Sequence, residues 1–179
     1  MKSTKRNSLA RSEPHIMLRL ILRTITAAEG IAAAAAYTVV AALLILEVVG
    51  REFFAITFLG SEQLAVYGAI ISGFLGLTLA TSENAHLRPA FFDFVTRSYE
   101  ARICRGGDLL SSLFFFGAAI VAAEFVSVSR GSADKAPILY FVLWPLQLVI
   151  PYTFASAGVK HLIFTLQPEL KRDTSEVMH

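Results

Sequence analysis

The chain has 179 residues, of which 55% are hydrophobic and only 17% charged, and its mean hydropathy is +0.58. A composition of that kind lies outside the range of soluble domains of this size. A net charge of +2 leaves no electrostatic footprint for nucleic acid, which is therefore not expected as a partner.

Residues 1–13 are polar and basic and read as a tail. From Pro14 to Ala28 the pattern changes, because Ile16, Leu20, Ile21 and Ile25 share one helical face with Arg19 and Arg23 four residues apart beside it. Two geometries fit this segment. It is either a short amphipathic helix in the headgroup region, its arginines on anionic phospholipid, or a cytoplasmic extension of the helix that follows. The apolar run that comes next is too long for the core of a cleaved signal peptide, so none is expected.

Four apolar runs organise the rest. The first extends from Gly30 to Gly50 with Glu47 as its one charge, and Gln63 to Ser82 has none. Leu109 to Ser129 contains only Glu124, and Ala136 to Val159 is uncharged. At about 1.5 Å per residue, runs of roughly 20 residues cross a hydrocarbon layer of about 30 Å. A soluble bundle would instead need a polar stripe at helical period, and no run has one. The predicted fold is an all-α membrane protein of four transmembrane helices, at about 29–50, 61–82, 108–129 and 137–160. They form a membrane domain over 28–166, flanked by tails at 1–27 and 167–179.

Basic residues give the spans a direction. Thirteen of the sixteen fall before the first run, between the second and third, or after the fourth; only Arg51, Arg130 and Lys135 lie on the opposite side. By the positive-inside rule the larger group is cytoplasmic, which puts both termini inside; the expected location is a prokaryotic inner membrane. Cys104, the single cysteine, rules out an intramolecular disulfide and reads as an inert thiol on the cytoplasmic side.

Between the first two spans, Arg51 to Gly60 is short and apolar for a loop, which predicts packing at the membrane interface or against a partner. In the second span Ala65, Ala69 and Gly73 recur every fourth residue, as do Gly68, Ser72 and Gly76. Small residues at that spacing let helix backbones approach closely in lipid, so this helix is expected to sit centrally or against a partner. The loop from Glu83 to Gly107 places Phe92, Val95, Tyr99 and Ile103 at helical spacing after Pro89, predicting a second interfacial helix. Phe114, Phe115 and Phe116 point around the third helix, so at least one must face lipid or another subunit. The fourth span opens at Pro137, carries Tyr140 and Trp144 at its outer end, and is expected to bend at Pro145 and Pro151.

Carboxylates inside a membrane are functional candidates. With this topology Glu47 and Glu124 sit towards the outer ends of their helices, Arg51 is one turn beyond Glu47, and Glu62 opens the second span. The favoured reading is a structural ion-pair network of Glu47, Arg51, Glu62 and Glu124; the sharper one is a proton or cation site made by Glu47 and Glu124. No histidine falls inside a predicted span and no cluster has metal-ligand spacing, so no catalytic site, metal or cofactor is expected.

The stretch from Leu46 to Asp93, LEVVGREFFAITFLGSEQLAVYGAIISGFLGLTLATSENAHLRPAFFD, resembles the small membrane subunit of tripartite ATP-independent periplasmic (TRAP) transporters, the DctQ-like family. The matching features are Arg51 closing the first span before Phe53 and Phe54, Glu62 and Leu64 opening the second, and His86 in a hydrophilic turn after it. APILYFVLWPLQLVIPYTF resembles the last span of that family, with Pro151 in its usual place. One departure is Ala90, where the family often has an aspartate; Asp93 follows three residues later.

The resemblance implies a non-catalytic role. The large permease subunit would carry solute and sodium, a periplasmic solute-binding protein would deliver an organic-acid-type solute, and this subunit would brace the large one. The alternative is a self-sufficient four-helix antiporter that uses a membrane carboxylate as its proton site. Such a protein needs its acid near mid-membrane, whereas Glu47 lies near a helix end.

Overall fold

The computed structural model describes the backbone of residues 3–82 and 100–167 and the side chains of 17–82 and 105–167. Helix α1 runs unbroken over Ser3–Phe54, α2 over Ser61–Ser82 and α3 over Glu100–Ser132. A four-residue helix, α4 (Trp144–Gln147), precedes α5 (Val149–Leu166). No strand occurs among the described residues, apart from one isolated bridge between Lys135 and Val142. Four segments are long and apolar enough to cross a membrane: Met17–Phe54, Ser61–Ser82, Arg105–Ser132 and Trp144–Leu166. The expected second interfacial helix lies outside the described residues as far as Tyr99, as does His86, while its last member, Ile103, falls in the first turn of α3.

Residues 14–28 belong to the same rod as the first span, so the continuous geometry is the one found. Arg19 and Arg23 are exposed on it. The fourth span departs from expectation at its start. Helix begins at Trp144 and not at Pro137, because the chain between α3 and α4 is spent on a tight loop. In that loop the Ala136 amide donates to Phe141 (2.9 Å), the Leu143 amide donates to Asp134 (3.0 Å), and Tyr140 takes φ 53°. Pro145 occupies the first turn of α4, where its missing N–H costs nothing. Pro151 cannot donate to the carbonyl of Gln147, the last residue of α4, and this accounts for the break before α5.

The helices pack as a row. α1 lies on α2, α2 on α5, and α5 on α3, while α1 and α3 make no extensive contact. Hydrogen bonds at matched ends show that the outer pairs run antiparallel: Thr26 pairs with Ser82 (3.0 Å) and Glu47 with Ser61 between α1 and α2, and Ser112 pairs with the Gly158 carbonyl (3.0 Å) and Asp108 with His161 (3.2 Å) between α3 and α5. Helices α2 and α5 instead run parallel and meet near their ends through Lys160 and the Thr78 carbonyl.

Close approach of α1 and α2 depends on part of the small-residue pattern. Ala65, Gly68 and Ser72 face α1: a Cβ on Gly68 would lie 2.5 Å from Val40 Cγ2, and the Ser72 hydroxyl points to the Ala33 carbonyl at 3.5 Å. Ala69 and Gly73 are exposed, and a Cβ on Gly73 or Gly76 would meet nothing within 4 Å. At the other joint Phe116 covers Gly158, with ring atoms 3.3 Å from where a Cβ would stand. Phe115 stacks on Phe154, which also meets Phe74 of α2 edge-on. Phe114 is left 69% exposed and faces outward.

The two connections at the Glu47 end are packed together. Gly60 adopts φ +91°, and the Leu139 side chain lies where a Cβ would be, 2.6 Å from its ideal position. The Gly60→Ala variant combines a left-handed backbone strain with overpacking. It should lose about 2–4 kcal/mol of stability, read as a lower melting temperature of the detergent-solubilised chain; an unchanged transition would mean the two loops are not in contact.

Candidate functional site: a buried polar clasp

Among the described residues, charge is buried chiefly at one end of the row, where α1 enters, α2 leaves, α3 enters and α5 leaves. Glu29 of α1 is 2% exposed and Lys160 of α5 1% exposed, and they form an ion pair of 2.5 Å. Each charge has further partners. The Glu29 carboxylate also accepts from Ser156 (2.5 Å) and Tyr152 (3.3 Å), while Lys160 donates a second bond to the Thr78 carbonyl of α2 at 2.9 Å. Ser156, Tyr152 and Lys160 are four residues apart along α5, so one helical face presents all three donors to Glu29. The Thr78 hydroxyl donates back to the Leu75 carbonyl, and the Thr78 carbonyl is shared between Lys160 and the Ser82 hydroxyl (3.0 Å).

A second buried pair lies beside the first. His161 Nδ1 is 3.2 Å from Asp108 Oδ1 of α3, its ring stacked on Phe115 with centroids 5.5 Å apart and met edge-on by Phe164. Consecutive residues of α5 thus tie in opposite directions, Lys160 to α1 and α2, His161 to α3.

These contacts tie the helices together, and Glu29 takes three donors. No group of three His, Cys, Asp or Glu side chains among the described residues is placed to hold a metal. An open apolar groove of about 880 Å³ runs between α3 and α5, lined by residues such as Leu113, Phe114, Val121 and Phe154.

At the opposite end the four charged residues singled out from sequence are placed differently from one another. Glu47 is buried and accepts the Ser61 hydroxyl at 2.5 Å, and Ser61 also donates to the Phe58 carbonyl. Arg51, Glu62 and Glu124 are exposed, and no ion pair among the described residues joins any of the four. Sequence reading passed over Glu29, Lys160, Asp108 and His161, since each borders an apolar run and counts as flanking charge. Helix α5 in fact continues to Leu166, with Ile163 and Phe164 buried, so Lys160 and His161 fall inside it. The available signal was depth: an acid opening the first span and a base closing the fourth come to the same level.

Removing one partner of a buried pair strands the other. Lys160→Met should cost about 3–5 kcal/mol, whereas the double variant Glu29→Leu/Lys160→Met should be less damaged than Lys160→Met alone. A thermal or SDS unfolding cycle on the purified chain decides it, and strictly additive losses would show that the two charges do not depend on each other.

Residues 40–168, more than two thirds of the chain, match the family described as tripartite ATP-independent periplasmic transporters, DctQ component. The match takes in Glu47, Ser61, Asp108, Lys160 and His161 and begins beyond Glu29. No curated protein and no solved structure matches the chain. With four membrane-crossing helices and this match, the chain belongs to the DctQ family and is a small membrane subunit of a TRAP transporter.

Proposed function

We propose that this subunit braces the large permease subunit during sodium-coupled uptake of an organic-acid-type solute delivered by a periplasmic binding protein, and binds no solute itself. The observation that carries the reading is how the row divides polar from apolar groups. Among the described residues, four of the five buried charged or titratable groups pair with one another and Glu47 is held by a hydroxyl, while large apolar side chains stand exposed on both end helices, including Ile31, Leu46 and Val48 on α1 and Leu113, Phe114 and Val121 on α3. A row with no fourth joint presents those faces to whatever completes the assembly. Ala69 and Gly73 stand open on α2 and would let a helix of the large subunit approach closely.

The excess of basic residues at the clasp end supports an inner-membrane orientation with both termini cytoplasmic. In that frame residues 28–166 are the membrane domain, Arg19 and Arg23 reach phospholipid headgroups, and the Glu47 end is periplasmic. Arg51, Glu62 and Glu124 then act as surface charge around the outer end, with Glu47 fixed by Ser61.

The antiporter reading is not favoured by the position of Glu47, near one helix end and already engaged by a hydroxyl. The purified chain in liposomes should carry no organic acid under a sodium gradient and move no protons, and uptake should appear only with the large permease and binding protein added. Proton-coupled transport by the chain alone, abolished in Glu47→Gln, would sink the scaffold reading.

A further inference from the structure

The two connections at the Glu47 end, residues 53–60 and 136–143, form one rigid cap. The Ile56 amide returns to the Gly50 carbonyl (3.0 Å), which folds the first loop back to the level of the last turn of α1. The second loop is laid over the first: Leu139 covers Gly60, the Ile138 amide reaches Gln63 Oε1 at 3.4 Å, and Phe141 meets Tyr67 edge-on. Ala55 and Tyr140 are both held at positive φ (52° and 53°), a conformation that residues with side chains keep only when their surroundings impose it. Six large apolar side chains are thereby fixed outward: Phe53, Phe54, Ile56, Leu59, Ile138 and Tyr140, with Leu59 82% exposed.

We propose that this cap is a lipid-interface anchor, seated in the headgroup–acyl boundary of the leaflet at that end and resting on zwitterionic phospholipid. Neither loop contains a formal charge, and along one face of α1 the exposed stripe of Ile45, Val49 and Phe53, spaced four residues apart, runs into the cap beside Arg51 and Glu52. The lipid-facing surface of the spans therefore continues over the cap. Around it stand all three basic residues of that end, Arg51, Arg130 and Lys135, matched by the acids Glu52, Glu62 and Asp134, every one exposed. With Glu124 a little deeper on α3, the rim carries both signs and complements a headgroup that itself carries both. Arg130 lies over the Trp144 ring, its Cζ 5.2 Å from the centroid, and an arginine, a tryptophan and a tyrosine at one level are the composition of a membrane–water interface.

A soluble protein that docks and leaves is a poorer occupant. Such interfaces are about as polar as ordinary protein surface, and each departure would return an uncharged patch of this size to water.

The test places a nitroxide at Phe54→Cys, Leu59→Cys or Tyr140→Cys in the full chain carrying Cys104→Ser, assembled with the large permease in phosphatidylcholine vesicles. All three exposed positions should collide several-fold more often with dissolved oxygen than with a nickel chelate, whereas Asp134→Cys should show the reverse. Adding anionic phosphatidylglycerol should leave the pattern unchanged. Preference for the nickel chelate at 54, 59 and 140 would overturn the proposal in favour of a water-facing docking surface. Low collision with both reagents would also overturn it, since protein would then cover the cap. The unmodified chain gives a check free of substitutions: its one tryptophan, Trp144, should be quenched by shallow brominated lipid and shielded from iodide, and the opposite result counts against the anchor.

Discussion

Withdrawing an ammonium and a carboxylate from water is so costly that neither would be tolerated alone, and in this protein the cost is offset by a single meeting of Glu29 with Lys160. That meeting sets the geometry of the row. It reaches across from α5 to α1, takes in a main-chain oxygen of α2 on the way, and so fixes three helices by one lysine side chain. The neighbouring His161–Asp108 contact extends the hold to α3. Because these charged groups satisfy one another, what polarity is left over in the interior is neutral, such as the Ser129 and Thr153 hydroxyls, and that is what lets a thin assembly with few large buried side chains exist in a bilayer.

The arrangement inverts the habit of soluble domains. Apolar bulk faces out, and the interior joints are made from small residues, hydroxyls and a few charges. The α1–α2 joint illustrates it, with Ala33, Ala65 and Gly68 where a water-soluble bundle would interdigitate leucines. At the α5–α3 joint the same purpose is served by a ring lying on a glycine, Phe116 over Gly158. Only part of the small-residue pattern is used within the chain, and the unused part, Ala69 and Gly73, remains on the surface.

Much of the fold could be read from sequence because the bilayer writes it in a coarse code. Uncharged runs of the right length marked the four spans, and the prolines marked the break before α5. Misplacement occurred where the code is local. Ala136 to Leu143 is as apolar as a span, but its backbone turns on itself in hydrogen bonds that hydropathy does not register. The polar clasp was illegible for a different reason: residues 131 positions apart meet through tertiary depth, and neither Glu29 nor Lys160 interrupts an apolar run. Glu47 stood out because it does interrupt one, and its partner proved to be Ser61, a neutral residue at the start of the next helix.

The linear order of the helices has a mechanical consequence. In a closed ring each member is held from two sides and deformations are shared, whereas in a row the joints act in series and their compliances add. Any force applied at α1 reaches α3 only through α2 and α5, so the end helices swing most and the middle pair least. The clasp shortens that chain of joints at one end by coupling α1 directly to α5. The end helix α1 is therefore tied at two levels by different means, to α5 by the clasp at Lys160 and, at the opposite face, to α2 by Glu47 and Ser61 beneath the packed loops.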